Sequence, residues 1–252
     1  MPVFDGVVRY DNFDQGFRTD IRNYELSKGI QIPRSMIDDD QYNEIQRRAR
    51  GLGDVFPRTR EADAAQVFIN AFTDSGTSRI GASTNGADGV ALCSLAHPLS
   101  PQNSTTQANE ATRPLTLANW DLTVQDMQNF TDDRSELLDI KPDMILIPRE
   151  LKRTAAAIFD PRAVWEPNSA EFTTNIFNGE VRVVVWNRLT DANAWFAIDT
   201  SDMKEHLIWQ NRIMPEFQES KDSDFNVLKF QGYMRYGMGW DDYKWIFGNN
   251  PG

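Results

Sequence analysis

The chain has a single cysteine, two histidines and no long apolar run, and these shortages exclude several classes of protein. One cysteine, Cys93, cannot form an intrachain disulfide. No stretch approaches the roughly 18 uninterrupted apolar residues of a transmembrane helix. The first residues also lack the basic and apolar regions of a secretory signal. We therefore expect a protein that folds in a reducing cytoplasm and has no membrane partner.

Basic residues are also scarce. The chain has 26 Lys and Arg against 37 Asp and Glu, which gives a formal net charge of −11. Proteins that grip nucleic acid usually carry a basic stripe, so this balance argues against specific nucleic-acid binding. It is compatible with a protein that encloses DNA, because an acidic wall repels a polyanion and leaves it mobile.

Recognisable catalytic motifs are missing as well. His97 follows Cys93 by four positions, but these two residues cannot supply the three or four protein ligands that zinc needs. No phosphate-binding glycine loop occurs. The acidic runs at 38–40, 132–133 and 241–242 lack calcium-loop spacing and are typical of helix caps and turns. We predict no cofactor and no metal, with an enzyme using Cys93 and His97 as an alternative.

Large aromatic residues are abundant. The chain of 252 residues contains 15 Phe and seven Trp among 40% apolar residues, enough for one large domain or two joined lobes. Tryptophans dominate both cores and interfaces. Core packing is the simplest interpretation, and a carbohydrate-binding surface is an alternative one.

The hydrophobic pattern indicates an α+β protein. Helical spacing covers 35–50 and 58–72, with Gly51, Gly53 and Pro57 between them. The second helix has one apolar face that includes Val67 and Phe68. Further helices are predicted at 117–127, capped by Thr116, and at 149–159, whereas 74–114 is irregular. Strands are predicted at 144–148, 181–186, 194–198, 207–209, 225–236 and 245–247, with a bulge or close strand crossing at 237–239.

Residues 3–35 alternate between apolar and charged positions and predict a hairpin with a turn at 11–16. Such a two-stranded ribbon has too little apolar surface to be stable alone. We therefore expect it to project from the body and to pack on a neighbouring copy of the chain.

Four segments carry a resemblance to a known family. They are Tyr24–Asp40 (YELSKGIQIPRSMIDDD), Ala71–Phe72 followed by Asp88–Leu99 (DGVALCSLAHPL), Asn129–Asp133 (NFTDD) and Met234–Tyr243 (MRYGMGWDDY). Their order and spacing resemble the major capsid proteins of tailed bacteriophages with the Hong Kong 97-type fold, in particular the Mu-like major head subunit branch. The likeness extends from about residue 3 to residue 248.

This resemblance implies a domain organisation. It places the family's E-loop hairpin at 1–35, with an N-terminal arm that is short or missing. A peripheral domain with a long spine helix follows at 36–130, with the helix at 58–72 as the spine. An axial domain occupies 131–200, and the chain returns to the peripheral domain at 201–252.

The resemblance also implies a function. The chain would be a structural, non-enzymatic protein of the virion. It would be assembled in the host cytoplasm into hexamers and pentamers of an icosahedral shell that encloses double-stranded DNA. Portal, scaffold and decoration proteins would be its partners. Inter-subunit contacts are expected from the E-loop residues Tyr10, Phe13, Phe17, Arg18, Arg22 and Tyr24. An encapsulin-like compartment is the alternative.

Overall fold

The computed structural model describes residues 15–39, 44–159 and 179–252. The mixed helix and sheet architecture confirms the predicted class. The helices are α1 (Arg34–Asp38), α2 (Glu44–Ile69), α3 (Leu117–Gln128), a 3-10 turn (Arg149–Leu151), α4 (Lys152–Phe159) and α5 (Thr200–His206). The strands are β1 (Tyr24–Pro33), β2 (His97–Pro98), β3 (Thr106–Gln107), β4 (Glu110–Ala111), β5 (Met144–Ile147), β6 (Arg182–Val185), β7 (Trp195–Ile198), β8 (Leu207–Asp222), β9 (Val227–Trp240) and β10 (Ile246–Asn249). Within these residues no helix is long and apolar enough to cross a bilayer.

Strands β1, β9 and β8 form a long antiparallel sheet in that order. Strands β8 and β9 are joined by a tight turn, in which the Asp222 carboxylate accepts hydrogen bonds from the backbone N–H groups of Asp224 and Phe225. Asn226 adopts a positive φ of 51°, which asparagine tolerates better than most residues. The register shifts twice between Asn211 and Glu216, at bulges that bend this edge strand.

Strand β1 corrects one expectation. It pairs with β9 of the same chain over its whole length, from Tyr24 opposite Tyr236 to Pro33 opposite Val227. Ile32 is buried. Residues 24–33 thus form an edge strand of a sheet within their own subunit, because β9 supplies the partner strand. The expected outgoing strand and most of the expected turn, residues 3–14, lie outside the described residues.

Helix α2 corrects a second expectation, because it continues through Gly51, Gly53 and Pro57. Its 26 residues give a length of about 39 Å at 1.5 Å per residue. Leu52 and Phe56 are buried against β9 in this stretch. Their burial outweighs the local cost of the glycines and the proline, which propensity alone would treat as a break. The helix ends at Ile69, so Ala71 and Phe72 lie in the following turn.

A five-stranded sheet with the order β4-β10-β7-β5-β6 forms the other half of the molecule. Its two faces are covered by different elements. Ile145, Ile147 and Trp195 face the core beneath α3 and α4. Leu146 and Phe196 face the end of α2. Because both faces are covered, β5 and β7 are apolar at every position, as expected for a sheet buried on two sides.

This sheet draws on three stretches of the chain. Strand β4 comes from residues before 131, β5 to β7 lie within 131–200, and β10 comes from 246–249. The sheet therefore crosses both predicted domain boundaries, at residues 131 and 200. The lobe assignment remains a prediction, and any division must pass through this shared sheet.

Most of the other predicted elements are confirmed. Thr116 caps α3 by accepting a hydrogen bond from the Asn119 N–H through its side-chain oxygen at 3.2 Å. Strand β8 extends from Leu207 to Asp222 and β9 extends from Val227 to Trp240, so both are longer than predicted. They keep pairing through polar positions, because each strand's hydrogen bonds go to its neighbour whatever the side chains are.

Candidate inter-subunit surface

The Cys93 and His97 pair lies in the core. Cys93 is buried, and burial raises the pKa of its thiol well above the usual value, which disfavours the nucleophilic thiolate. His97 is also buried, with its Nδ1 2.6 Å from an Asp88 oxygen and its ring stacked on Tyr243 at 3.8 Å. Both residues therefore have structural surroundings, as expected for a packing role.

The acidic runs form turns and ion pairs. The Asp132 side chain accepts hydrogen bonds from the backbone N–H groups of Arg134 and Glu136. Asp241 contacts His206 at 2.9 Å, and the Lys244 ammonium contacts Asp242 at 2.7 Å. In the described part of the chain no group of three or more Cys, His, Asp or Glu side chains is arranged to hold a metal.

Four of the six predicted contact residues are described, and they lie just before β1 or at its start. Phe17 is exposed, and Arg18 forms an exposed ion pair with Asp20 at 2.9 Å. Arg22 is exposed, and Tyr24 begins β1. Tyr10 and Phe13 lie outside the described residues. The structure thus places the four described residues in sequence along one end of the long sheet, without testing their contact with a neighbour.

The backbone before β1 crosses β9 closely. A Cβ atom on Gly237 would lie 2.7 Å from the Arg22 carbonyl oxygen and 2.9 Å from the Ile21 side chain. Gly239 faces Ile21 in the same way. The predicted close crossing at 237–239 is confirmed, and it fixes the position of the segment that carries Phe17, Arg18 and Arg22.

The long sheet has a small core of its own. Its buried cluster consists of Leu52, Phe56, Met234 and Tyr236. The Tyr236 hydroxyl donates a hydrogen bond to Asp63, whose carboxylate is also held by Arg79 at 2.8 and 2.9 Å. Burial and this hydrogen bond raise the pKa of Tyr236.

Large apolar side chains are exposed on and near this sheet, and sequence reasoning missed them as a group. Phe225, at the tip of the β8–β9 hairpin, is 78% exposed. The other members are Met214 and Phe217 on β8 and Met36 and Ile37 on α1. The only sequence signal was apolar residues interspersed among charges. Exposed apolar groups of this kind often mark contact surfaces.

Comparison with known proteins agrees with this picture. A family model described as phage capsid protein matches residues 22–249. None of the curated proteins matches. Among solved structures, one of Mycobacterium phage Patience has a TM-score of 0.55 at 6% identity, covering 97% of this chain and 77% of that chain. The capsid of an empty GTA particle gives 0.52 at 12% identity, covering 91% and 74%.

A third similar structure is the SrpI encapsulin from Synechococcus elongatus, with a TM-score of 0.50 at 7% identity, covering 91% of this chain and 74% of that chain. At these identities the solved structures establish a shared fold and no more. The family match covers nearly the whole chain. The protein therefore belongs to the phage capsid protein family and is a structural major capsid protein, not an enzyme.

Proposed function

We propose that copies of this chain assemble into hexamers and pentamers of an icosahedral shell of the Hong Kong 97 type, close to the Mu-like branch. The observation that carries the proposal is the long β1-β9-β8 sheet. It has a four-residue core and exposes Phe225, Met214 and Phe217. A sheet with so little core gains stability when neighbouring copies cover its apolar side chains.

In this proposal α2 is the spine helix. Its first half packs on β9 through Leu52 and Phe56, and its last turns enter the main core through Val67 and Phe68. The helix thus joins the long sheet to the five-stranded sheet. The long sheet with α2 corresponds to the peripheral lobe, and the stretch 131–200 to the axial lobe. Residues 1–35, which include β1, are the proposed E-loop hairpin.

The shell would enclose double-stranded DNA without gripping it. The net charge of −11 supports this, since repulsion at the wall leaves packaged DNA mobile. Portal, scaffold and decoration proteins are the proposed partners, and the host cytoplasm is the proposed site of assembly. The single cysteine suits a reducing compartment.

Sedimentation and negative-stain microscopy of the purified full chain test this proposal. We expect closed shells or capsomer rings. A monomer at all concentrations, in the presence of infected-cell extract as well, would contradict the proposal. Nuclease treatment of particles from infected cells tests the cargo: protected double-stranded DNA is expected.

An encapsulin-like compartment is a second candidate, supported by the fold shared with the SrpI encapsulin. It predicts particles that contain protein cargo and no protected DNA. The carbohydrate-binding alternative has little support among the described tryptophans. Trp120, Trp195, Trp240 and Trp245 are buried, and the partly buried Trp186 and Trp209 have rings that contact Phe68 and Tyr236 respectively.

A further inference from the structure

An acidic cleft of about 660 Å³ lies beside the predicted contact residue Phe17. Apolar side chains, among them Leu99, Leu138 and Ile140, line part of it. Six carboxylates also line it: Asp88, Asp132, Asp133, Asp202, Asp241 and Asp242. One ammonium, on Lys244, and one imidazole, on His206, are the cationic groups among the described lining residues. The cleft therefore carries a large excess of negative charge over an apolar floor.

Some of these carboxylates have partners within the subunit, and others do not. Asp88, Asp241 and Asp242 pair with His97, His206 and Lys244 respectively. The carboxylates of Asp133 and Asp202 form no ion pair with the described residues. Burial, together with the nearby charge of Asp199, raises the pKa of Asp202, which reflects crowded negative charge. The cleft has unused capacity to bind a cation.

The phenol of Tyr243 gives a second, independent indication of a ligand. Tyr243 lines the cleft and is 5% exposed, and its hydroxyl has no hydrogen-bond partner among the described residues. Its ring is held between the stacked His97 ring and the Lys244 ammonium, which lies 5.2 Å from the ring centroid. Folded proteins seldom leave a buried hydroxyl unsatisfied. The Tyr243 oxygen can therefore accept a further hydrogen bond at this cleft.

A guanidinium group fits these features better than an ammonium. Its planar fork donates several hydrogen bonds at once to carboxylate and phenol oxygens, and it is less strongly hydrated. Its aliphatic stem covers apolar surface such as Leu138 and Ile140. A divalent cation is a poorer fit, because the described acids form no metal-binding group.

The same chain offers a matching basic surface. Residues 44–60, about the first two thirds of α2, contain five arginines and two acidic residues in a protein that is otherwise strongly acidic. Arg50 and Arg58 are both exposed on this helix. A protein that assembles from identical copies brings such complementary surfaces together repeatedly, and charge complementarity fixes their register.

We propose that the acidic cleft of one subunit receives arginine side chains, Arg50 and Arg58, from α2 of a neighbouring copy. The guanidinium groups lie against Asp133 and Asp202 and donate to the Tyr243 oxygen. This inference rests on the proposed shell assembly and names one of its subunit contacts.

Charge exchange tests the contact. Asp133→Lys with Asp202→Lys, and separately Arg50→Glu with Arg58→Glu, should each remove most of the rapidly sedimenting particle fraction. Combining all four substitutions should restore particles, because opposite charges face each other again. Glu180→Lys, an exposed charge reversal in the turn before β6, is the matched control and should assemble like the wild type. Circular dichroism and thermal melting of each subunit show that the variants are folded.

Normal assembly of both charge-reversed pairs would overturn the contact, and so would loss of particles that the four-fold variant fails to restore. If a reversed pair does not fold, crosslinking decides. Asp133→Cys combined with Arg58→Cys should give covalent dimers with a short bismaleimide in particles, whereas either substitution alone should not. The natural Cys93 is buried and does not compete. Absence of dimers would equally overturn the contact. A wild type that forms no particles would instead refute the proposed function.

Discussion

The two sheets of this capsid protein differ in how they are stabilised. The five-stranded sheet has cores on both faces, with Trp120, Trp195 and Trp245 fully buried. The long three-stranded sheet has helix α2 packed on it and a core of four residues. Both regions expose some large apolar side chains, Leu117 and Leu122 on α3 in the first and Met214 and Phe217 on β8 in the second, but the second buries fewer residues beneath its sheet among those described. The proposed assembly therefore assigns the subunit contacts to the region with the smaller core.

The largest expected loss of stability is in the core of the five-stranded sheet. Phe68 is buried and makes edge-on contacts with Trp186, Phe196 and Trp245. Phe68→Ala should lower the free energy of unfolding of the unassembled subunit by about 4–5 kcal/mol, in the upper part of the range for such truncations, through lost burial and the cavity left behind. Urea denaturation measures this. Phe225→Ala, at an exposed position, is the control and should change it by less than about 0.5 kcal/mol. An equally small loss for Phe68→Ala would mean that the sheet does not bury this ring.

A smaller loss of stability is expected when the phenylalanine of α2 that packs on the long sheet is replaced by alanine. Phe56 is buried but contacts the half-exposed Phe217 edge-on at 5.1 Å, so its neighbours can close in when the ring is removed. Phe56→Ala should cost about 3 kcal/mol, at the low end of the range for such truncations. The comparison uses urea denaturation under identical conditions. A loss as large as that of Phe68→Ala would contradict the proposed difference between the two sheets.

Replacing glycines by alanine compares how tightly the two sheets are packed. A Cβ on Gly248, in β10, would lie 2.5 Å from the Cys93 sulfur and 2.7 Å from the Phe72 ring. One on Gly232, in β9, would meet the Phe56 ring. Overpacking costs about 1–3 kcal/mol. We expect Gly248→Ala near the upper limit and Gly232→Ala near the lower one, because the Phe56 ring borders the half-exposed Phe217, which can shift to make room. Thermal melting shows which of the two substitutions lowers the melting temperature more. A larger decrease for Gly232→Ala than for Gly248→Ala would contradict the expected difference in packing.

The smallest expected effect concerns pH. Burial, then the charge of Asp74, raises the pKa of Glu110 in β4. A carboxyl group with a raised pKa favours the folded state when protonated, and this contribution is lost as pH rises through the raised value. Glu110→Gln should therefore become more stable relative to the wild type between pH 4 and pH 7. Glu219→Gln, exposed on β8, is the control and should show no such trend. Parallel denaturation curves across this range measure both.

The sequence pattern predicted the five-stranded sheet better than the long three-stranded sheet. Short buried runs such as Met144–Ile147 and Trp195–Ile198 have an unambiguous pattern, and Thr116 marks the start of α3. The continuity of α2 was missed, because burial of Leu52 and Phe56 overrides local glycine and proline signals. Such tertiary effects do not appear in a local pattern.

The contact surfaces were only partly predictable. Phe17, Arg18, Arg22 and Tyr24 came from the family resemblance, and their contact with a neighbouring copy stays a prediction. The acidic cleft could not be found from spacing, because its carboxylates come from segments as distant as Asp88 and Asp242. Only the fold brings them together.

Hydrogen–deuterium exchange tests the difference between the two sheets most directly. Backbone amides should be followed in unassembled subunits and in assembled particles of the full chain. We predict that β5, β7 and β10 are strongly protected in both, whereas β1, β8 and β9 exchange much faster in the subunit and become protected on assembly. Equal protection of the long sheet in the two states would contradict the claim that neighbouring copies complete it.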